Sequence, residues 1–242
     1  MRTLIIVISL ILVSILSIPL YLIDFIIGRF SPVAAHMFAQ NIVRVVFKIW
    51  LWVAGAKYTV YGLEKVPADE PVLYIANHRS FFDVLLGYAY VPGPTSFVSK
   101  KSIKKIPCIA QWMYFLRCIF LDRDDIKNGL EMIKSAISNI EDGYSVFISP
   151  EGTRNSNDEL LPFKEGCFRI ATRTNCKIIP VCYTNTEKIF EDHLPWIRKT
   201  SNVTIEFGEP IDISDYDRDA KKHLGVKLQS IIQEMYNERR HL

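Results

Sequence analysis

The stretch Val72-Leu-Tyr-Ile-Ala-Asn-His-Arg-Ser-Phe-Phe-Asp83 decides how the fold is interpreted. It begins as an apolar run typical of a buried strand and ends in polar residues, with His78 directly after the run and Asp83 five residues later. A neutral imidazole can take a proton from an alcohol, and a carboxylate on its other ring nitrogen fixes the tautomer and stabilises the imidazolium. The same pattern also fits a solvated loop histidine followed by a helix-capping aspartate, so the rest of the chain has to decide.

Composition narrows the class of protein. A chain of 242 residues holds one α/β domain of ordinary size plus an appendage. Its hydrophobic content of 49% is high for a soluble domain, and its net charge of +3 excludes a strongly basic nucleic-acid binder. Five cysteines without a C-x-x-C pair predict neither a disulfide framework nor a zinc site, but reduced thiols in a cytosol-facing domain. Cys167 has no neighbouring histidine in sequence to support a nucleophilic role.

The N-terminal segment explains the high hydrophobic content. Residues 4–23 carry no charge, and Asp24 ends the run, which is just long enough to span a bilayer. The run is long for a cleaved signal peptide and lacks a small-residue cleavage site. We therefore expect a helix that stays in the protein and contacts the membrane.

A second helix is predicted directly after the first. Ser31 and Pro32 are typical of a helix start, and Trp50 and Trp52 favour a membrane–water boundary. Polar residues recur every four positions in one stripe: His36, Gln40, Arg44 and Lys48. The pattern predicts an interfacial helix, with an amphipathic helix packed on a soluble core as the alternative. We interpret residues 1–56 as a membrane-embedded two-helix motif. The pair could dip into one leaflet, or the first helix could cross fully; we favour the dipping pair, because the second helix cannot cross without burying its polar stripe.

From residue 57 onward, short apolar strands alternate with helical segments. This order predicts an α/β domain over residues 57–242, with a largely parallel central sheet covered by helices on both faces. Pro180 inside the strand at 177–183 indicates a sheet edge or a bulge, and residues 203–207 alternate like a late edge strand.

Other strand ends carry polar residues that would meet His78. One apolar run continues into Ser149-Pro-Glu-Gly-Thr-Arg154, which combines a permissive glycine with a forked cation suited to phosphate. Another ends in Asp122 and Arg123, and lysines cluster at positions 100–105. Carboxyl ends of parallel strands share one edge of the sheet. The sequence therefore predicts a site that deprotonates a hydroxyl next to a phosphate, and the apolar N-terminus suggests a lipid phosphate.

With these segments in view, the chain resembles the 1-acyl-glycerol-3-phosphate (lysophosphatidate) acyltransferases. The family's blocks occur in order: Asn77-His-Arg-Ser-Phe-Phe-Asp83, Phe120-Leu-Asp-Arg123, Ser149-Pro-Glu-Gly-Thr-Arg154 and Ile179-Pro-Val181, with Phe163-Lys-Glu-Gly166 also fitting. The resemblance covers roughly residues 58–207. Ser149 stands where phenylalanine is frequent in the family, and Cys167 where alanine is common.

The resemblance implies a direct transfer without an acyl-enzyme. His78 would act as general base on the glycerol 2-hydroxyl, and Asp83 would orient it, as in the family's H-x4-D motif. The acyl donor would be acyl-CoA or acyl-carrier protein, as co-substrate rather than cofactor. No bound cofactor and no metal site is expected.

The resemblance also implies substrate contacts. Arg154 and Lys100 would hold the phosphate, with Arg123 a weaker candidate. The glycerol-phosphate site would be shaped by Glu151 and Gly152, with Glu151 accepting from a substrate hydroxyl, and Thr153 would also contact the substrate. An oxyanion donor is needed as well, and a backbone amide near Gly152 is one candidate. From the residues alone, Arg154 could instead form a surface ion pair, and Asp122 and Arg123 could pair with each other. The lysines could form a solvated face or bind anionic lipid headgroups.

The expected partners are lysophosphatidate, the acyl thioester and membrane phospholipids, with no nucleic acid. Because the donor is cytosolic, we expect a cell-membrane protein whose active site faces the cytoplasm. Two alternatives stay open: an acyltransferase for another lysolipid such as lyso-ornithine lipid, and a non-catalytic protein that binds phospholipids.

Overall fold

The computed structural model describes residues 1–122 and 125–241, with only the backbone of residue 126. The helices are α1 (Arg2–Gly28), α2 (Pro32–Ala54), α3 (Phe81–Tyr90), α4 (Pro107–Phe115), α5 (Ile126–Glu141), α6 (Arg169–Thr174) and α7 (Leu224–Arg239). The strands are β1 (Ala56–Tyr61), β2 (Leu73–Ala76), β3 (Thr95–Lys100), β4 (Ile119–Leu121), β5 (Ser145–Ile148), β6 (Ile178–Thr184) and β7 (Thr200–Phe207). Short 3-10 turns lead into α6 and α7, at Glu165–Phe168 and Ala220–His223.

The strands described form one sheet in the order β1-β7-β6-β2-β5-β3-β4. Neighbours pair in parallel except β6 and β7, which are antiparallel. Helices cover both faces. One core lies under α2 and α3, and the other lies under α5, α6 and α7. The predicted α/β class, with a largely parallel sheet between helical layers, is confirmed.

Two expectations about sheet edges are wrong. Strand β7 is not an edge strand, because β1 pairs along its outer side. Strand β6 is interior as well, and it carries Pro180 without a bulge in its ladder with β2. Gly208 N donates to Pro180 O at 2.8 Å, just past the end of β7. The side of Pro180 that lacks an N–H donor therefore faces a position beyond the end of β7, where no ladder hydrogen bond is lost.

Helices α1 and α2 pack against each other and against the α/β domain. Among the described residues, both are long and apolar enough to cross a membrane, by length and composition. Helix α1 touches the domain along its length: Thr3 Oγ1 accepts from Ile197 N, Ser17 Oγ from Trp112 Nε1, and Tyr21 donates to Cys108 O. These contacts span about 27 Å of helix. Its outer face stays apolar and exposed.

The polar stripe of α2 faces the α/β domain. Ser31 caps the helix as predicted, its Oγ accepting from Ala34 N. Gln40 is buried, and its side chain donates to Gly93 O at 2.7 Å and accepts from Thr95 N at 2.9 Å. Arg44 donates to Val91 O at 2.8 Å. The stripe thus satisfies backbone groups at the ends of α3 and β3, which corresponds to the packed-helix alternative rather than to a stripe lying in lipid headgroups.

Candidate active site

His78 and Asp83 lie where β2 passes into α3. Ser80 is the N-cap of α3, and its Oγ accepts from Phe82 N at 3.0 Å. Asp83 is the third helical residue, and its Oδ2 closes the capping box by accepting from Ser80 N at 2.8 Å. The same Oδ2 lies 2.9 Å from His78 Nδ1. The five-residue spacing therefore serves both purposes, and the helix-capping alternative and the base–carboxylate pair are one structure.

Asp83 is held by protein donors on both oxygens. Its Oδ2 also accepts from Arg79 N at 2.6 Å, and its Oδ1 accepts from Thr186 Oγ1 at 2.6 Å. These donors fix the orientation of the carboxylate. When His78 Nδ1 donates to it, Nε2 becomes the basic nitrogen of the ring. His78 lines an apolar cavity, so this nitrogen can serve as a proton acceptor there.

Glu151 clamps the His78 backbone from the next strand end. Its Oε1 accepts from His78 N at 2.8 Å, and its Oε2 accepts from Leu161 N at 3.0 Å. Asn155 N donates to His78 O at 2.8 Å, so both sides of the His78 peptide are tied to the 151–155 loop. Burial raises the pKa of Glu151, while the backbone donors oppose the rise. Glu151 therefore holds protein groups where a contact with a substrate hydroxyl was expected.

Replacing Glu151 with glutamine is expected to destabilise the fold. A glutamine offers one acceptor oxygen in place of two, so either His78 N or Leu161 N would face an NH2 group. Leaving a buried donor unpaired costs about 1–3 kcal/mol, part of which is recovered because a buried charge is removed. We expect a lower free energy of unfolding in urea at neutral pH. The exposed Glu159→Gln change is the matched control, and equal stability of the two variants would refute the clamp.

Gly152 occupies a position that requires glycine. Its φ is 73°, and a Cβ there would lie 2.9 Å from Lys164 Nζ. Its amide donates to Ser149 O at 3.1 Å, within the turn. The Gly152 amide itself is therefore already paired, and a backbone amide near Gly152 as oxyanion donor stays a prediction.

The cations predicted at the phosphate site are spread along the sheet edge. Arg154 Nη1 donates to Glu191 Oε1 at 2.8 Å, and its guanidinium lies 4.4 Å from the centre of the Phe81 ring. The ion pair that the sequence left open is thus present. Lys100 is exposed at the end of β3, and Thr153 is exposed beside Arg154. Neither these two nor Arg154 lines the cavity, and Arg123 lies outside the described residues.

A cavity of about 340 Å³ opens beside the His78–Asp83 pair. Gly152 and Lys164 contribute to its wall near the pair. The rest of the lining is mainly apolar and comes from α3, β3, α5 and β5: Val84, Phe97, Val98, Leu130, Met132, Ile133, Phe147 and Ile148. The cavity thus presents a proton acceptor next to a space suited to a hydrocarbon chain.

Cys167 lines this cavity but is a poor nucleophile. It is buried, and burial raises the pKa of its thiol to about 11. Only about one part in ten thousand would be thiolate at pH 7. We expect Cys167→Ala to keep kcat/KM within about threefold, because no step uses a thiolate there. Initial rates of purified protein test this, with the buried Cys176→Ala as control, and a collapse of activity would contradict it.

Several residues around the site were not predicted from the sequence. Arg79 is 3% exposed, pairs with Glu187 at 2.7 Å and donates to Asn157 O at 2.9 Å. Thr186 and Glu191 also reach the start of α3. Lys164 was noted only as part of a matching block, although its side chain lies over Gly152. The sequence offered one signal for two of them: Arg79 and Lys164 are cations within the family's sequence blocks, next to apolar residues.

A hydrogen-bonded His–Asp pair at the carboxyl edge of a largely parallel sheet, beside an apolar cavity, places the chain in the class of α/β enzymes. The sequence model of the acyltransferase family matches residues 57–184, slightly more than half of the chain. The chain belongs to the acyltransferase family.

Individual relatives agree with this assignment. The 1-acyl-sn-glycerol-3-phosphate acyltransferase of Salmonella typhimurium is 29% identical over 194 residues, covering 76% of this chain and 77% of that protein. The Escherichia coli protein of the same name is 32% identical, with 69% and 67% covered. The chloroplast protein BAT2 of Brassica napus is 33% identical over 66% of this chain, which spans about half, 48%, of that relative.

A solved structure supports the fold. The crystal structure of the 1-acyl-sn-glycerophosphate (LPA) acyltransferase PlsC from Thermotoga maritima superposes with a TM-score of 0.72. The match covers 93% of this chain and 97% of that one at 20% identity, so it extends over the N-terminal helices as well as the sheet.

Proposed function

We propose that the protein transfers a fatty acyl group from an acyl thioester to the 2-hydroxyl of 1-acyl-glycerol-3-phosphate, making phosphatidate for phospholipid synthesis. The observation that carries the proposal is the His78–Asp83 pair, 2.9 Å apart, on the wall of an apolar cavity. The names of the bacterial relatives supply the acceptor. The donor would be acyl-CoA or acyl-carrier protein, and no cofactor is needed.

The chemistry follows from the pair. His78 Nε2 accepts the proton of the 2-hydroxyl while the alkoxide oxygen bonds to the thioester carbonyl carbon. The resulting tetrahedral intermediate collapses, the carbon–sulfur bond breaks, and the thiolate takes the proton back from the His78 imidazolium. Asp83 keeps its charge throughout and stabilises the imidazolium. The apolar cavity would hold an acyl chain, and Lys164 adds positive charge beside the reacting atoms.

The phosphate would lie along the cationic edge. Arg154 presents a guanidinium close to the start of α3, and Lys100 is the last residue of β3. Arg123 keeps its place as a weaker candidate. Glu151 acts through the His78 backbone rather than on the substrate, whereas Gly152 and Thr153, in the same 151–155 loop, would lie beside the glycerol phosphate. These groups match a phosphate better than a zwitterionic headgroup.

The helical pair, residues 1–56, would anchor the catalytic domain, residues 57–242, to the membrane. Apolar side chains cover the outward face of α1, and the contacts from Thr3 to Tyr21 favour a helix lying along the domain. Such a pair dips into one leaflet more readily than it crosses. A cytosolic thioester then requires the active site to face the cytoplasm.

The experiment that tests the proposal is acyl transfer from a radiolabelled acyl thioester to a panel of lysolipids. We expect lysophosphatidate to be the preferred acceptor by kcat/KM. Preference for lyso-ornithine lipid would move the chain to that reaction, and binding of lysolipids without turnover would make it a lipid-binding protein.

Arg154→Ala is expected to raise the KM for lysophosphatidate about 10- to 100-fold, since a charge-assisted contact contributes about 1.5–3 kcal/mol. The KM for the acyl donor should change little, because Arg154 is assigned to the phosphate of the acceptor. Steady-state kinetics with each substrate varied in turn measure the split. The control is Arg173→Ala on the exposed side of α6. Equal effects on both KM values would speak against phosphate binding by Arg154.

A further inference from the structure

The segment 190–199 between β6 and β7 presents apolar side chains on an ordered backbone. At the base of the segment, Arg198 N donates to Ile189 O at 2.9 Å. At its tip, Trp196 N donates to His193 O at 2.7 Å and forms a turn. At the tip, Leu194 is 61% exposed and Trp196 is 57% exposed. Two large apolar side chains held outward in this way suggest a surface that contacts something apolar.

This segment adjoins the end of the helical pair where α1 begins and α2 ends. Ile197 N donates to Thr3 Oγ1 at 2.9 Å, which ties it to the first turn of α1. A Cβ on Gly55, just after α2, would lie 3.2 Å from Lys199 Cγ and 3.3 Å from Arg2 Nε. The segment therefore continues the exposed apolar face that begins at the start of α1.

Aromatic and basic side chains gather at this end of the molecule. Trp52 is 81% exposed two residues before the end of α2. The exposed basic residues here include Arg2, Arg198 and Lys199. Within the segment, Asp192 is an exposed carboxylate, whereas Glu191 turns inward. Tryptophan with lysine and arginine is the composition of a membrane–water boundary that faces anionic headgroups.

The base of the segment reaches the candidate active site. Glu191 Oε1 accepts from Phe81 N at 2.9 Å and from Arg154 Nη1 at 2.8 Å. Its Oε2 accepts from Ser80 Oγ at 2.5 Å. The segment is thus joined to the N-cap of α3, two residues after His78, and to the arginine assigned to the phosphate.

We propose that segment 190–199 is a second membrane contact, which lies on anionic phospholipid headgroups beside the start of α1 and holds the acceptor-binding edge of the catalytic domain against the bilayer. The proposal rests on the proposed function, since it concerns how a membrane-borne acceptor reaches the site. Lysophosphatidate would then move from the bilayer to Arg154 without leaving the surface.

The test compares one acceptor in two physical states, using the full-length protein and the double variant Leu194→Ser/Trp196→Ser. With long-chain lysophosphatidate in phosphatidylcholine–phosphatidylglycerol vesicles, KM is expected to rise about tenfold, because two apolar contacts are lost. With monodisperse short-chain lysophosphatidate, KM and kcat should stay within about twofold, which also shows that the variant is folded. The control is Val226→Ser, which removes a side chain that is 65% exposed on α7.

Two further variants sharpen the result. Leu194→Ile/Trp196→Phe keeps the apolar character and should restore the wild-type KM. Arg198→Glu/Lys199→Glu should abolish the lowering of KM that phosphatidylglycerol gives over phosphatidylcholine alone. An unchanged KM in vesicles for the serine variant would overturn the proposal. So would a change in its oligomeric state by light scattering, which would identify a second copy as the occupant.

Failure of the proposed function would be visible separately, as a wild-type protein inactive in both acceptor states. The membrane contact would then be decided by Trp196 fluorescence on vesicles that contain brominated phospholipid. Quenching of the emission that Trp196→Phe removes supports the contact, and its absence overturns it.

Discussion

Replacing His78 with alanine is expected to lower kcat for acyl transfer by about 10³- to 10⁴-fold, the upper part of the range for a positioned general base. The pair with Asp83 is the arrangement near the cavity that can accept the hydroxyl proton, so the variant keeps substrate binding and loses the chemical step. KM for lysophosphatidate should change little. Rates of phosphatidate formation from a radiolabelled thioester measure the effect.

The control for this variant is His223→Ala, which removes an exposed histidine just before α7. The variant should remain on membranes and unfold at nearly the wild-type temperature, since only the ring of His78 is removed and its backbone hydrogen bonds stay. Activity within tenfold of wild type would exclude His78 as the base.

Changing Asp83 to asparagine is expected to lower kcat about 10²- to 10³-fold with a small loss of stability. The amide oxygen can take the place of Oδ2, where it accepts from His78 Nδ1, Arg79 N and Ser80 N. The amide NH2 then faces Thr186, whose hydroxyl can rotate and accept. The geometry survives, but the charge that stabilises the imidazolium is lost.

Asp83→Ala separates charge from capping, because it removes the capping box as well. We expect a further loss of about 1 kcal/mol in the free energy of unfolding relative to asparagine. Asp69→Asn, in an exposed loop, is the control. If asparagine supported wild-type kcat, the carboxylate charge would have no part in catalysis.

The parts of the fold that depend on local pattern were predictable. Alternation of apolar strands with helices predicted the α/β class, and the Ser31-Pro32 start of α2 was visible directly. The rank of a strand within the sheet was not. β7 alternates like an edge strand, yet β1, which is more than 130 residues earlier in the chain, pairs outside it. Such a partner leaves no mark on the sequence of β7 itself.

The polar stripe of α2 shows a second limit. Periodicity identified the polar side of the helix but not the groups that satisfy it. Gln40 bonds to Gly93 and Thr95 through contacts more than 50 residues apart. An amphipathic pattern gives the same signal for headgroups and for backbone carbonyls.

The candidate site also contains residues that were predictable from the sequence and residues that were not. The His78–Asp83 pair was predictable because five residues bring the two side chains together through one helix start. Glu191 was not, because it reaches Arg154 and Ser80 from 37 and 111 residues away. Glu151 had the correct location but a different partner, since sequence does not reveal which way a buried carboxylate turns.

The buried face of α2 means that the membrane anchor and the catalytic domain share one hydrophobic core. Ala39, Val43, Leu51 and Ala54 belong to the same core as α3 and the sheet. Cutting the chain at residue 56 to obtain a water-soluble enzyme would therefore expose part of the hydrophobic core of the catalytic domain. It would also leave unpaired backbone groups at Gly93 and Thr95. Solubility would be better sought on the outer face of α1, whose side chains can be exchanged without entering that interior.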